Sequence, residues 1–359
     1  NIDYLRTQMP EQRQDIRKLS LAEIKAYFTG INEKPFRAKQ VHEWLWKKSV
    51  TSIEDMTNLS LPIREQLEKE FLINSMTIAE SQKSKDGTVK NAFKLYDGNI
   101  IEGVLIPTPK RITACVSSQV GCSLTCKFCG TGRLKRERNL DASEIYDQVV
   151  AINKQAIQNH NIPLSNIVYM GMGEPLLNYK NVLQSIDYVT SPEGLDMSPK
   201  RITVSTAGIA KMIEKLGDDQ VKFNLALSLH AANDKKRDHI MPINEQNSLD
   251  VLGKSLVYFY EKTDIRPTFE YIIFKGFNDK IEDAQELVEF CKQVPCKINI
   301  IEYNPIDDGE FQQAAPKNVD DFATYLESKN LVVNVRRSRG KDIDAACGQL
   351  ANKNEASLK

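Results

Sequence analysis

Short runs of β-branched residues alternate with helical patterns from about residue 113 to the C-terminus. Candidate strands lie at 112–116, 166–170, 201–205, 223–229, 268–273, 298–301 and 332–336. Helical patterns lie between most of these strands, for example at 142–155, 249–261 and 280–292. This alternation is typical of a parallel sheet covered by helices. A closed barrel needs eight strand–helix units, so the sequence predicts an α/β fold with a partial, TIM-like barrel of about six units.

The first 75 residues have helical rather than strand periodicity. Apolar residues recur at helical spacing in 15–28, 38–48 and 61–71, which predicts a small helical accessory domain. The segment 33–48 mixes basic and aromatic residues, a combination that can hold a nucleic-acid backbone and stack on bases. The same pattern also fits a helix with an apolar core face and a solvated basic face, and the sequence leaves both interpretations open.

Residues 76–108 change to alternating strand patterns. Asp86-Gly87 and Asp97-Gly98 are hairpin signals between these strands. We therefore expect a helical domain at 1–75, a β-hairpin extension or linker at 76–108 and a catalytic core at 109–350. The polar tail at 351–359 is expected to fray.

Composition limits the class of protein. The 359 residues carry 48 basic and 48 acidic side chains, which disfavours an indiscriminate polyanion binder but allows local basic patches. No apolar run is long enough to span a bilayer, and no signal peptide is visible. The seven cysteines are an odd number, and three lie within eight residues, which favours metal-binding or catalytic thiols in a reducing, cytoplasmic compartment.

The three clustered thiols are Cys122, Cys126 and Cys129, at the spacing C-x3-C-x2-C. Structural zinc sites normally take four protein ligands, and ferredoxin-type clusters take four cysteines. Three cysteines on a 4Fe-4S cubane would leave one iron open for a substrate. The stretch CSLTCKFC, with Phe128 before the third cysteine, resembles the signature of the radical-SAM superfamily, in which that iron holds S-adenosylmethionine (SAM). A zinc knuckle that borrows a fourth ligand and a set of unligated cysteines are the alternatives.

Small polar residues recur where the predicted strands end, which is where βα barrels place their chemistry. The first strand ends at Cys115. The later strand ends carry Gly173 and Glu174 after the second strand, Ser205 at the third, Ser228, Leu229 and His230 at the fourth and Asn304 at the sixth. Each one alone could be a helix cap or turn, and a lone histidine such as His230 is by default structural. Their recurrence at one rim favours a binding site.

Cys347 follows a basic run, 336–341, and lies among small residues. Small neighbours leave a thiol accessible, and cations lower its pKa, so a nucleophilic thiolate is expected here, although a buried inert cysteine is the alternative. Cys291 and Cys296 are interpreted as structural. Basic residues also cluster at 133–138 and 200–201, and three such clusters near one rim favour a polyanionic substrate, although solvated faces would look the same.

Several long motifs occur in the same order as in one known family. They are EKPFRAKQV (33–41), SKDGTVK (84–90), CVSSQVGCSLTCKFC (115–129), GMGEPLLN (171–178), SLHAAND (228–234), MPIN (241–244), CKIN with YNP (296–305) and RGKDIDAACGQLA (339–351). Together they resemble the adenine-C2 methyltransferase family of radical-SAM enzymes, which acts on 23S rRNA and, in some members, tRNA. A related subfamily methylates C8 of the same ribosomal adenine and confers antibiotic resistance. The further alternative is a zinc-stapled RNA-binding module without catalysis.

The resemblance implies a role for each matched residue. Cys122, Cys126 and Cys129 would hold a 4Fe-4S cluster, Cys347 would become S-methylated and bond to the substrate, and Cys115 would resolve that bond. Glu102 matches an acidic residue assigned as proton acceptor, although by sequence alone it is an ordinary strand glutamate. The matched SAM contacts are Gly173, Glu174, Ser205, Ser228, Leu229, His230 and Asn304.

The implied chemistry explains why a thiol is needed. C2 of adenine is electron-poor, so it does not attack the methyl group of SAM, but a carbon radical can add to it. In the family mechanism one SAM methylates the thiolate, and a second SAM, cleaved at the cluster, activates that methyl group. The covalent RNA–protein adduct is released by formation of a Cys115–Cys347 disulfide. The implied partners are protein-free or early-assembly 23S rRNA, tRNA and an electron donor such as flavodoxin, with the enzyme acting as a monomer.

Overall fold

The computed structural model describes residues 13–353. It begins with a helical region in which the short strands β1 (Gln14–Asp15) and β2 (Phe71–Leu72) pair in parallel. The helices between them are α1 (Leu21–Gly30), α2 (Arg37–Trp46) and α3 (Leu61–Glu70). The single helix expected at 15–28 is wrong at its start, because Ser20 caps α1 in a capping box with Glu23, and Ile16–Lys18 form a 3-10 turn instead.

The rest of the chain is built on one ten-stranded sheet. Its first strands are antiparallel: β3 (Thr77–Lys83), β4 (Val89–Lys94), β5 (Ile100–Thr108) and β6 (Arg111–Cys115). The strands β7 (Gln119–Val120) and β8 (Arg138–Asn139) form a separate two-stranded ladder. The long helix α4 (Ala142–His160) follows. The segment expected as a hairpin extension therefore continues the main sheet through β6.

The parallel part follows in sequence order across the sheet. Its strands are β9 (Asn166–Tyr169), β10 (Ile202–Thr206), β11 (Asn224–Ser228), β12 (Thr268–Ile273), β13 (Lys297–Glu302) and β14 (Val333–Arg336). The helices between them are α5 (Tyr179–Thr190), α6 (Ala210–Asp218), α7 (Asp234–Ile240), α8 (Leu249–Thr263), α9 (Ile281–Cys291) and α10 (Pro316–Ser328). With β6 pairing β9, and β14 and β3 at the two edges, the sheet stays open. The predicted α/β partial barrel is confirmed.

The helical region shares its core with the barrel. The Trp46 ring is buried and stacks on Tyr188 at a centroid distance of 3.5 Å, while the Tyr146 hydroxyl donates to the Trp46 carbonyl. The half-buried Trp44 ring carries the Lys48 ammonium 3.4 Å above its centroid. The face of α2 that holds Trp46 therefore packs into the protein, as the core-face interpretation of 33–48 predicts.

Arg17 joins the helical region to the barrel electrostatically. Its side chain is only 3% exposed, and its guanidinium donates to both carboxylate oxygens of Asp147 on α4, at 2.8 and 2.9 Å. It also donates to the carbonyl of Asn74. A buried guanidinium needs these partners, because burial of an unpaired charge is strongly unfavourable.

Arg17→Met should lower the free energy of unfolding by about 3–5 kcal/mol, because the buried Asp15 and the partly buried Asp147 then lose their counter-ion. Lys254→Met is the matched control, since Lys254 pairs with Asp250 at a position where both side chains are at least 70% exposed, and such pairs contribute little. Thermal and denaturant unfolding of the two variants measure the difference. Equal stabilities would contradict the assigned role of Arg17.

Candidate active site

A cavity of about 600 Å³ lies on the inner face of the open barrel. It is lined by residues of β5, β6, β9, β10, β12, β13 and β14, together with the cysteine loop and the segment that carries Cys347. Three of the cysteines singled out above, Cys115, Cys129 and Cys347, line it together. The structure thus brings together thiols that are up to 232 residues apart in sequence, from 115 to 347.

The cysteine loop is held at its base by the β7–β8 ladder. Gly121 at the start of this loop has a φ of +72°, and a Cβ there would lie 2.1 Å from the carbonyl oxygen of Lys135, so the tight closure requires glycine. Cys122, Cys126 and Cys129 are free thiols with partial exposure. Within residues 13–353 no group of three His, Cys, Asp or Glu side chains is arranged to hold a single metal ion.

The donor set of this loop fits an iron–sulfur cluster, in which each cysteine binds a separate iron. Burial and the neighbouring cysteines raise the pKa of Cys126 well above its ordinary value, and burial also raises the pKa of Cys129. Crowded thiols of this kind are unfavourable as bare thiolates, and a cationic metal centre would offset that cost. The fully buried Arg237 opposes this rise, because its positive charge lowers the pKa of Cys126 as a cationic metal centre would.

The cluster loop is bonded directly to the Cys347 segment. The amide of Gly130 donates to the carbonyl of Gly348 at 2.7 Å, and the Thr131 hydroxyl donates to the Leu350 carbonyl at 2.6 Å. Gly348 has a φ of +83°, and a Cβ there would lie 3.1 Å from the Phe128 carbonyl. We call these contacts the loop seam. They fix Cys347 against the cluster loop.

The two thiols expected to do chemistry differ in exposure. Cys347 is exposed and Cys115 is buried, and both are free. Burial, followed by the neighbouring Cys347, raises the pKa of Cys115 to about 12. The expected lowering of the Cys347 pKa is wrong, because desolvation by the surrounding protein raises it and outweighs the opposing effect of Arg336. Cys347 therefore needs help to ionise.

The residues matched to SAM contacts gather at the ends of β9, β10, β11 and β13, and none of them is among the described residues that line the cavity. Gly173 has a φ of +95°, and a Cβ there would meet the Gln119 side chain at 2.4 Å. The buried Glu174 carboxylate accepts from the amides of Leu176 and Ala207, and burial raises its pKa to about 6. The Ser205 and Ser228 hydroxyls lie 3.4 Å apart on adjacent strands.

His230, Leu229 and Asn304 have clear structural contacts. The His230 Nδ1 accepts from the Ile272 amide, its ring meets the edge of Phe128 at 4.7 Å, and burial lowers its pKa to about 3. Leu229 is fully buried. The Asn304 Nδ2 donates to the Cys347 carbonyl at 3.3 Å, while its buried Oδ1 has no partner in the described structure. An unpartnered buried acceptor at this position fits a ligand that carries N–H or O–H groups.

Glu102 lies outside the cavity lining, on β5. Its Oε2 accepts from the amides of Ala351 and Asn352 at 2.9 and 3.0 Å, and its Oε1 lies 3.7 Å from the buried Lys90 ammonium. The start of the predicted fraying tail is therefore anchored, while residues 354–359 of that tail lie outside the described residues. Glu102 holds the segment that follows Cys347.

The basic clusters are largely paired. Arg138 bonds Glu144 and Asp97, Arg337 and Lys341 bond Glu302, and Arg339 lies 3.6 Å from Asp86. Arg133 donates to the carbonyls of Asp307 and Asp308. The clusters at 133–138 and 336–341 therefore act first as structural ties. Lys200 and Arg201 precede β10, so they lie at the opposite end of that strand from Ser205 and not at the same rim as the other two clusters. No helix in the part of the chain from residue 13 to 353 combines the length and apolar character needed to cross a membrane.

One cavity residue was missed by the sequence reasoning. Glu270 on β12 lines the cavity, is 4% exposed, and is the only acidic side chain among the described residues that do so. The available signal was a lone charge in the otherwise apolar and aromatic strand FEYIIF. An inward-facing charge in a parallel strand is costly to bury and so indicates a function.

Comparison with known proteins supports the same kind of site. Residues 14–73 match the family described as the ribosomal RNA large subunit methyltransferase N-terminal domain, and residues 116–291 match the radical SAM superfamily. The probable dual-specificity RNA methyltransferase RlmN of Cytophaga hutchinsonii is 61% identical over 338 residues, covering 94% of this chain and 93% of that protein. The Flavobacterium johnsoniae protein of the same name is 57% identical, covering 96% and 99%.

A solved structure extends the comparison to the fold. The crystal structure of a radical SAM methyltransferase from Sphaerobacter thermophilus matches with a TM-score of 0.88 and 35% identity, covering 94% of this chain and 99% of that one. Each of these matches covers at least 94% of this chain. The chain belongs to the RlmN family of dual-specificity RNA methyltransferases within the radical SAM superfamily.

Proposed function

We propose that this protein methylates C2 of an adenine in 23S rRNA and in tRNA, with Cys347 as the carrier of the methyl group. One observation carries the proposal: Cys347, Cys115 and Cys129 line one cavity, and the loop seam holds the Cys347 segment against the loop that carries Cys129. The relatives' names, dual-specificity RNA methyltransferase, support RNA as the substrate.

The cofactors are a 4Fe-4S cluster and SAM, as in the superfamily. Cys122, Cys126 and Cys129 would hold the cluster. Gly173, Glu174, Ser205, Ser228, Leu229, His230 and Asn304 would form the SAM site at the strand ends. When bound, SAM would supply the methyl group. On one-electron cleavage at the cluster, it would also supply the radical that removes a hydrogen atom from the methyl group on Cys347. The protein contributes positioning and exclusion of water.

The two cavity thiols divide the remaining chemistry. The exposed Cys347 sulfur carries the carbon that bonds to C2. Once that C–C bond has formed, the adduct gives up one electron and the C2 proton, so the ring becomes aromatic again; the resemblance implies Glu102 as the acceptor of this proton. The Cys115 thiolate then attacks the Cys347 sulfur, so that an S–S bond forms as the S–C bond breaks, and the released carbon takes a proton to become the methyl group. The disulfide is reduced before the next turnover. The buried Cys115 thiol, with a pKa of about 12, stays protonated and unreactive until that step.

The remaining assignments concern organisation and partners. We propose a helical domain at 1–75 that contributes to RNA binding, a β extension at 76–108, a core at 109–350 and a short tail. We further propose that the protein acts as a monomer in the cytoplasm, with a flavodoxin-type electron donor. Its seven free thiols fit a reducing compartment. The target base must be unstacked, which fits protein-free or early-assembly 23S rRNA as the substrate.

Product analysis tests the function directly. The protein is reconstituted anaerobically with iron and sulfide, then incubated with SAM, reductant and protein-free 23S rRNA or tRNA, and nucleosides are identified by mass spectrometry. We expect 2-methyladenosine. Formation of 8-methyladenosine would assign the protein to the C8 subfamily, and cleavage of SAM without any methylated adenosine would remove the RNA assignment.

Cys347→Ala should abolish methylation, because the other two cavity thiols have different roles: Cys115 is buried and Cys129 would hold the cluster. Visible absorbance of the cluster and RNA-independent cleavage of SAM should stay at the wild-type level, since the three cluster cysteines are intact. Cys296→Ala is the matched control, since Cys296 precedes β13 and does not line the cavity. Residual methylation by Cys347→Ala would contradict the carrier role.

Cys115→Ala should instead trap the RNA on the protein, because the S–C bond at Cys347 forms but cannot be exchanged for a disulfide. Denaturing gel electrophoresis and mass spectrometry of the Cys347 peptide measure the adduct. The double variant Cys115→Ala, Cys347→Ala should give none. Normal turnover of Cys115→Ala would show that another group releases the product.

A further inference from the structure

Glu270 has a buried carboxylate oxygen without a partner in the described structure. Its Oε1 accepts from the Asn299 Nδ2 at 2.7 Å and lies 3.7 Å from the Arg336 guanidinium, whereas its Oε2 is buried and unpaired. A buried acceptor left without a donor costs free energy, and in native structures it usually has a function or a missing partner. The Oε2 atom therefore lacks a donor that a ligand could supply.

Sheet register places Glu270 on the wall of the cavity that Cys347 also lines. Glu270 pairs with Asn299 on β13, which pairs with Asn334 on β14, so the three side chains form a row across the cavity wall. Arg336 lies two residues beyond Asn334 and so on the same face of its strand. Arg336, Glu270 and Cys347 also line the same cavity. The Glu270 carboxylate, the Arg336 guanidinium and the Cys347 thiol thus surround one space.

The geometry of adenine matches this arrangement. Its Watson–Crick edge carries the N6 amine, then N1, then C2, so a group that binds N6 must lie close to the group that reaches C2. C8 lies on the opposite, imidazole side of the base. Enzymes that act on a flipped base read it through hydrogen bonds to this edge.

We propose that Glu270 is a specificity-determining residue whose Oε2 accepts a hydrogen bond from the N6 amine of the target adenine and so turns C2 toward Cys347. This inference rests on the proposed function and adds to it the reason why C2, rather than C8, is presented. Arg336 keeps Glu270 in place through Oε1 and faces the N1 side of the base. A cavity of about 600 Å³ is large enough for one flipped base.

The test compares two RNA hairpins that differ by one amine. One carries adenosine at the target position, and the other carries purine riboside, which lacks N6. Wild-type enzyme should prefer adenosine roughly 10- to 100-fold in kcat/KM, the range expected for a hydrogen bond to a charged group. Glu270→Ala should lose that factor on adenosine only, so the preference falls to about one. Glu270→Gln, which keeps a carbonyl acceptor, should be intermediate.

Two further readouts separate recognition from other roles. Binding of the two hairpins, measured by fluorescence anisotropy on the full chain, should show the same loss of discrimination without any turnover. RNA-independent SAM cleavage and the melting temperature of Glu270→Gln should stay at the wild-type level. Glu289→Gln is the matched control, since Glu289 is a 70% exposed glutamate on α9.

The proposal is overturned if Glu270→Ala and Glu270→Gln lose activity equally on both hairpins, which would assign Glu270 to SAM or to the fold. It is equally overturned if the wild-type enzyme does not distinguish adenosine from purine riboside. Failure of the proposed function gives a different result, since wild-type enzyme would then form no 2-methyladenosine on the adenosine hairpin.

Discussion

The hydrogen bonds between the cluster loop and the Cys347 segment are the contacts on which the site depends. Gly130 donates to Gly348, and Thr131 donates to Leu350, so two segments that are more than 200 residues apart share one backbone network. A reaction that passes a carbon between sulfur and a base needs its atoms placed within fractions of an ångström. Glycine at 348, with a φ of +83°, lets the backbones approach closely enough for this network to form.

Two buried carboxylates extend this constraint into the sheet. Glu102 accepts from the amides of residues 351 and 352, and Glu174 accepts from the amides of Leu176 and Ala207. Each one cross-links backbone segments that the sheet alone would leave unconnected, and hydrogen bonds to charged groups contribute roughly 1.5–3 kcal/mol. Because Glu102 lies on β5, the antiparallel strands are part of the scaffold of the site.

Periodicity and local motifs predicted much of this from sequence. The parallel strands were located to within two residues at each end, because β-branched runs report burial directly, and the three cysteines were recognisable by spacing alone. Long-range pairing could not be predicted in the same way. Arg339 meets Asp86 and Glu102 meets Ala351, across about 250 positions, so their charges looked like solvated or ordinary residues.

The raised pKa of Cys347 could not be predicted from the sequence for the same reason, because it depends on burial and on charges that pair over long distances in the chain. The nearby cations in sequence suggested a lowered value, but Arg337 and Lys341 are bonded to Glu302, and Arg336 shares its charge with Glu270. The pKa of a thiol depends on its desolvation and on the neighbouring charges that remain once ion pairs have formed. Only the three-dimensional arrangement shows both effects. The proposed role of Glu270 was not predicted either, because it depends on a carboxylate oxygen that the fold leaves without a hydrogen-bond donor.

Charge pairing also bears on how a protein with zero net charge selects RNA. Arg133, Arg337 and Arg339 are held by carboxylates or carbonyls, whereas Arg111 in the cavity lining has no ion pair in the described part of the chain, nor do Lys135, Lys200 and Arg201. Cations without an ion pair are free to contact phosphates, but phosphate contacts supply affinity without sequence information. Discrimination must then arise where the base itself is held, in the cavity that Cys347 and Glu270 share.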